Sequence, residues 1–413
     1  MPGSEDRISA LPDGVLQHVL GFLSVHDAVR TSVLAGRWRH AWKSMRRLRI
    51  SPEDGWVRPE HLKDFLDALL PEPPGHHVSI LQEASLHLDE LVEEYDAHVQ
   101  GWIRRILAGQ AQVLNVTFAA LENPPLVSRH LRKLELTDMV LKGSILDLAS
   151  CPVLEDLTMA SCVLFLDKIS SKSVKRLSIK SCDFVCDCRP SIATPSLVWL
   201  LLDSFGGKVP LFGSMPSLKT ALVRPAAYSS DCCKGGYMGK CYGSCAECTG
   251  DDDHTGCWVL LGGLSSVVNL ELVAHTGMRI FRRDLRWCPT FSNLKTLLLN
   301  DWCVAVDFRA LFFILEHSPV LEKLTLRLSK RHEFITVRAG NCYPLEKLPA
   351  ISEHLNTVEI RCRDIDGTVC RLSKFLSPFV SVMQINIKLD AQLSTCFSFE
   401  TFLSPFPVDD DDY

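Results

Sequence analysis

A short apolar alternation, L-x-L or close to it, recurs twelve times from about residue 80 onward, and it limits the possible folds more than any other feature of the chain. The second member of each pair falls at Leu88, Phe118, Leu136, Met159, Ile179, Leu202, Val223, Leu272, Leu299, Leu326, Ile360 and Ile387. Successive steps are 30, 18, 23, 20, 23, 21, 49, 27, 27, 34 and 27 residues. An alternation this short is a strand that turns two side chains to one face. One coil of chain cannot hide both, but a similar coil stacked beside it supplies the missing wall. The spacing therefore predicts a curved parallel sheet rather than twelve unrelated strands in an ordinary α/β domain.

The steps fall mostly at the roughly 20–29-residue period of leucine-rich repeats, whose template is L-x-x-L-x-L-x-x-N/C-x-L. LEDLTMASCVL (Leu154 to Leu164) and VKRLSIKSCDF (Val174 to Phe184) fit it down to Cys162 and Cys182. LRKLELTDMVL (Leu131 to Leu141) fits except at Met139. Cys151-Pro152-Val153-Leu154, Thr194-Pro195-Ser196-Leu197, Met215-Pro216-Ser217-Leu218 and Ser318-Pro319-Val320-Leu321 are each placed to turn the chain into the next strand.

Before the repeats, Asp6–Arg49 packs three helical patterns into about forty residues. Pro12 and Asp13 open the first, where a proline costs no hydrogen bond, and Leu16, Val19, Leu20 and Leu23 form its stripe. Val25, Ala28, Val29, Ser32 and Val33 form the second, and Leu34, Trp38, Trp42 and Met45 the third. Gly36 lowers helix propensity by about 1 kcal/mol relative to alanine, so the third pattern should start late or bend. Two tryptophans, each burying roughly 150–250 Å², exceed what so small a unit can enclose. The excess must meet the rest of the chain or another protein. Arg39, Lys43 and Arg46 step in phase beside Trp38, Trp42 and Met45 and read as the solvated flank of that helix, with a nucleic-acid patch as the alternative.

Leu11, Pro12, Asp13, Leu16, Val19, Leu20, Phe22, Leu23, Ala28, Val29, Thr31, Val33, Leu34, Arg37, Trp38 and Trp42 together resemble the F-box of plant F-box/leucine-rich-repeat proteins. Ala35-Gly36 stands where serine and a basic residue are common, and Ala41 replaces leucine. Pro344–Leu389 resembles the FBD-like module that follows the repeats in many such proteins, a strand–helix–strand cap over the last open sheet edge. The resemblance implies an α/β protein: an F-box at 6–50, a helical linker at 51–79, leucine-rich repeats at 80–343 with a Cys-rich insertion at 229–258, the cap at 344–403 and a disordered acidic tail at 404–413. It further implies the substrate-recognition adaptor of a Skp–cullin–F-box ubiquitin ligase. Leu11, Pro12, Leu16, Val19, Leu20, Phe22, Leu23, Val29, Val33, Leu34, Trp38 and Trp42 would contact the Skp-type linker, and through it cullin. The repeats would hold a target protein whose identity the sequence does not give. A repeat scaffold without a ubiquitin-ligase role is the alternative.

Composition excludes several classes. A net charge of −5 offers no global attraction to nucleic acid or anionic membrane. MPGSEDRIS carries no signal-peptide core, and no apolar run approaches a membrane span. The 17 cysteines, without a secretory signal, read as reduced thiols, which fits a cytoplasmic or nuclear setting. Phosphate loops, nucleophile elbows, HExxH and dinucleotide fingerprints are absent, so no catalytic residue and no cofactor is expected. The insertion is glycine- and aspartate-rich and reads as a solvent-facing loop without a metal. Its alternative is a zinc site of Cys241, Cys245, Cys248 and either His254 or Cys257, and with it a zinc-dependent nucleic-acid binder.

Overall fold

A computed structural model describes residues 11–51, 54, 59–69, 81–88, 96–124, 126–232, 259–304, 308–329, 352–377 and 385–390. Within them thirteen strands form one all-parallel sheet in chain order, from Arg47–Ile50 to Ile385–Leu389. Its register aligns two aliphatic rows. The first runs Leu48, Ala84, Leu114, Leu134, Leu157, Leu177, Leu200, Ala221, Leu270, Leu297, Leu324, Val358 and Ile385. The second runs two residues further along every strand, from Ile50 and Leu86 to Ile360 and Ile387. All but the two members on the last strand are buried. Each side chain is walled by its equivalents one coil before and one coil after, so the core is a line of stacked pairs.

Ten of the twelve expected pairs sit in strands with the anticipated member facing inward. The first two are displaced by two residues. Leu86 and Val116 hold the inward positions, Leu88 follows its strand, and Phe118 has turned the corner at φ 55°. Ala84, Leu86 and Leu88 are all apolar, so the alternation fits two registers, and only the neighbouring strand selects one. The thirteenth strand, Arg47–Ile50, was hidden because arginines alternate with Leu48 and Ile50 in a stretch that continues the basic flank.

Step length follows from how each coil returns. Coils of 20–23 residues turn through a left-handed residue, directly after the strand at Asp138 (φ 49°), Ser161 (φ 52°) and Ser181 (φ 51°), and at a register shift inside Trp199–Phe205 at Ser204 (φ 54°). Aspartate tolerates this backbone region better than most residues, and serine's small side chain fits it. Each corner N–H but the last donates to a carbonyl of the following coil, as in Asp138 to Ala160 at 2.9 Å and Ser181 to Asp203 at 2.8 Å. The next residue plunges into the core, and there Met139, Cys162, Cys182 and Phe205 are equivalent and buried. Met139 thus fills the template position that its side chain had made doubtful. The hydrogen bond with Cys162, reinforced by burial, pushes the Cys182 thiol far up, so it packs as a small apolar group. These coils complete their circuit through two four-stranded side sheets. Among the described residues, four of the six steps of 27 or more hold a helix instead: Asp96–Ala108, Arg279–Asp284, Arg309–Glu316 and Gly367–Leu376.

Two buried carboxylates hold the ends of the long insertion. Asp231 accepts both guanidinium nitrogens of Arg189 at 2.8 and 2.9 Å and the Val209 N–H at 2.6 Å. Asp284 accepts N–H bonds from Val259, Leu260 and Leu261, and the Phe212 N–H donates to Val259 at 2.8 Å. Asp231 and Val259, on either side of the insertion, are therefore tied to residues 209–212.

The C-terminal module extends the sheet rather than lidding it. Thr357–Cys362 pairs with Lys323–Leu328, Ile385–Leu389 pairs beyond it, and the open edge moves outward by two strands. Of the expected strand Met383–Ile387, Ile385–Ile387 lie in the strand Ile385–Leu389, and Met383 and Gln384 lie outside the described residues. Asp366 caps the intervening helix by accepting from Thr368 and Val369, both at 2.9 Å.

Leu177 lies in the middle of the first row and is fully buried between Leu157 and Leu200. Leu177→Ala should cost about 2–5 kcal/mol, read as a lowered urea midpoint for loss of the sheet signal.

Candidate functional site

The N-terminal unit is built from two helices and three tight turns. Helix α1 spans Asp13–Leu20 and α2 spans Val25–Arg30. The Pro12 carbonyl accepts from Val15 and Leu16, and the Ser24 hydroxyl caps α2 by accepting from Asp27 at 3.2 Å. A third continuous helix does not form. Thr31–Val33, Gly36–Arg39 and Ala41–Ser44 are separate 3₁₀ turns, broken at the extended Ala35 (φ −158°, ψ 155°) and at His40. Gly36 directly follows the break, where its low helix propensity makes interruption cheap. Arg37 donates to Asp13 at 2.9 Å and so ties the turn after Leu34 to the start of α1.

The twelve expected contact residues divide by exposure. Leu16, Leu20 and Trp38 are buried with Val25, Ala28, Met45, Leu48 and Ile50 in the chain's own core. Leu11, Leu23, Val29 and Trp42 are half-buried. Pro12, Val19, Phe22, Val33 and Leu34 are exposed, the last two at 86% and 69%. The broken third helix explains Leu34, which leaves the stripe of Trp38 and Met45 once the four-residue step is lost. Val15, 44% exposed, joins Val19 and Phe22 on the outer side of α1. Sequence reasoning missed it because it stands one position off the Leu16–Leu20 stripe. Its signal was the four- and three-residue spacing to Val19 and Phe22.

Cations accompany these apolar groups. The Arg47 guanidinium lies 5.2 Å from the Phe22 ring centre, and the Lys43 ammonium 5.5 Å from that of Trp42. Arg47 also meets Glu83 at 3.4 Å, across the first strand pair. The N-terminal unit thus ends inside the repeat sheet, with α2 packed against Arg47–Ile50.

A second surface lies on the sheet face opposite the aliphatic rows. Its central row reads Ser85, Asn115, Glu135, Thr158, Ser178, Leu201, Leu222, Glu271, Leu298, Thr325, Glu359 and Asn386. Asp203 pairs with Arg224 there, and Glu359 accepts from Arg361 at 2.7 Å and meets Lys388 at 3.1 Å. Burial pushes the Glu271 carboxyl up, against the opposing pull of Arg327, Arg224 and Arg361. Burial also pushes Glu359 up, but its hydrogen bonds with Arg361 and Lys388 outweigh this and hold it below the usual carboxylate range. Ion pairs run along the whole face, from Arg47–Glu83, Lys133–Glu135 and Arg176–Asp156 to Glu359–Arg361, and Leu201, Leu222 and Leu298 form an apolar lane in its second half.

Among the described residues, no group of three or more His, Cys, Asp and Glu side chains is arranged to hold a metal. Cys241, Cys245, Cys248 and Cys257 lie outside those residues. No helix in them is long and apolar enough to cross a membrane.

Comparison with known proteins matches residues 8–50 to the F-box domain. The chain is similar to the MEIOTIC F-BOX protein MOF of Oryza sativa subsp. japonica, at 28% identity over 86% of this chain and 80% of that protein. It is similar to an F-box/LRR-repeat protein of Arabidopsis thaliana, at 25% identity over 90% and 88%. A putative F-box/FBD/LRR-repeat protein of Arabidopsis thaliana is 32% identical over 29% of this chain and 26% of its own length.

The two classes of apolar residue should separate by measurement. Leu16→Ala should lower stability by about 2–5 kcal/mol, whereas Val33→Ser should shift it by less than about 0.5 kcal/mol, both read from denaturant melts. Glu359 carries a depressed folded pKa, so its stabilisation is present above its unfolded value and is lost as pH falls through the folded one. Glu359→Gln should cost about 1–2 kcal/mol at pH 7, and the gap should begin to narrow in melts as pH falls through the unfolded carboxylate value of about 4.3.

Proposed function

We propose, from the premise that this chain carries an F-box domain followed by a leucine-rich-repeat sheet and has plant F-box/LRR-repeat relatives, that it is the substrate adaptor of a Skp–cullin–F-box ubiquitin ligase. The observation that carries the reading is the unspent apolar surface of the N-terminal unit. Leu16, Leu20 and Trp38 fasten the unit to the sheet, and Val15, Val19, Phe22, Val33 and Leu34 remain in solvent. Exposed aliphatic side chains held on short helices and turns suit insertion into a partner's groove. The linker contact is thereby narrowed to Pro12, Val19, Phe22, Val33 and Leu34, flanked by Leu11, Leu23, Val29 and Trp42 and joined by Val15.

The face opposite the aliphatic rows is the surface offered to a target protein. It presents a regular, rigid array of side chains at the roughly 4.8 Å spacing of neighbouring strands. An adaptor of this kind needs no acid, base or nucleophile. It raises the local concentration of target lysines beside a ubiquitin-charged enzyme held elsewhere in the complex. The reduced cysteines fit a cytoplasmic or nuclear site of action.

The test is affinity capture of the full chain with the proteasome blocked, beside Val33→Asp/Leu34→Asp. The expected result is that the parent retains the linker and cullin, and that the variant loses both while keeping its targets. Retention of the linker by the variant would refute the assigned contact, and its absence from the parent capture would refute the adaptor role. Removing the first 50 residues is a poorer test, since it also strips the first strand of the sheet.

A further inference from the structure

Residues 25–50 carry seven arginines and lysines against a single aspartate, in a chain whose net charge is −5. Arg30, Arg39 and Arg46 are exposed. They do not form a belt apart from the apolar groups but alternate with them. Arg30 ends α2, one turn before Val33 and Leu34. Arg46 and Arg47 line a cleft with Gly14, Gln17 and His18 of α1 and with Gly21 just after it, and the outer side of that helix shows Val15 and Val19. Arg47 stands over Phe22 itself. Arg30 meets Asp27 at 3.5 Å, Arg37 pairs with Asp13 and Arg47 meets Glu83, yet cations still outnumber acids over this stretch, and such a local excess draws a surface of opposite sign.

We infer that the groove receiving this unit is rimmed by carboxylates, with Arg30, Arg39 and Arg46 steering an acidic protein surface onto the exposed Val33 and Leu34. The inference rests on the adaptor reading and specifies the chemistry of its partner. A phosphate backbone would also satisfy the arginines. It has nothing to cover side chains that are 86% and 69% exposed, whereas a protein groove with an acidic rim meets both needs. In such an interface the apolar pair holds the complex together and the rim charges set how fast it forms.

The experiment follows association of the full chain with purified Skp-type linker protein by surface-based kinetics at several salt concentrations. Raising salt from about 0.05 to about 0.5 M should slow association about tenfold with little change in dissociation. The triple variant Arg30→Glu/Arg39→Glu/Arg46→Glu should associate about tenfold more slowly at low salt and lose most of the salt dependence. Val33→Asp/Leu34→Asp should abolish binding at every salt concentration. If the parent shows no salt dependence and the triple variant associates normally while the apolar variant fails, the acidic rim is refuted and the adaptor reading stands. If the parent does not bind the linker, both fall. If the triple variant keeps linker binding but loses binding to a short nucleic-acid duplex that the parent holds, the arginines serve nucleic acid and the inference is overturned.

Discussion

The structure depends on the mutual burial of two aliphatic side chains per coil. Leu177 and Ile179 are inside only because Leu157 and Met159 lie on one side and Leu200 and Leu202 on the other. No coil possesses a core of its own, and stability accumulates along the stack from nearest-neighbour contacts. Everything that interrupts the stack has to leave this register untouched. The long insertion complies by leaving and re-entering beside residues 209–212, with Asp231 and Asp284 satisfying the backbone and guanidinium donors there.

The same requirement explains how the docking unit is attached. An N-terminal unit on a flexible tether would need its own closed core, and Leu16, Leu20 and Trp38 are too few for that. They pack instead with Met45, Leu48 and Ile50, the last two being the first rungs of the two aliphatic rows. The apolar surface facing outward is what remains after this internal debt is met. Trp102 shows a similar economy in the helices over the first coils, where its indole N–H and Arg105 both donate to Asp67, at 3.1 and 2.9 Å.

The repeat was legible because parallel coils demand one apolar pair each, and ten of the twelve pairs stand where the alternation put them. Leu86 against Leu88 was not legible, since an apolar triplet satisfies two registers and the choice belongs to the neighbouring strand. Arg47–Ile50 escaped notice because its inward residues are separated by arginines that resemble a helix flank. At the docking unit, periodicity found the apolar residues but not their allegiance. Leu16 and Val19 share one stripe in the sequence; only three-dimensional packing shows that the first looks inward and the second outward. Leu34 was drawn into a helix that Ala35 and Gly36 break, so local backbone preference overruled the four-residue rhythm.

Because Arg47–Ile50 is hydrogen-bonded as the first rung of the sheet, no hinge separates the N-terminal unit from the repeat sheet. The sheet then works as a graduated ruler, each rung adding about 4.8 Å along its arc. Under the proposed adaptor role, the place where a target grips along that scale would fix how far, and in which direction, its lysines are carried from the N-terminal unit. For such an adaptor, a gain or loss of one coil would leave the grip intact but swing the target to a new bearing, so repeat number would itself be a geometric setting.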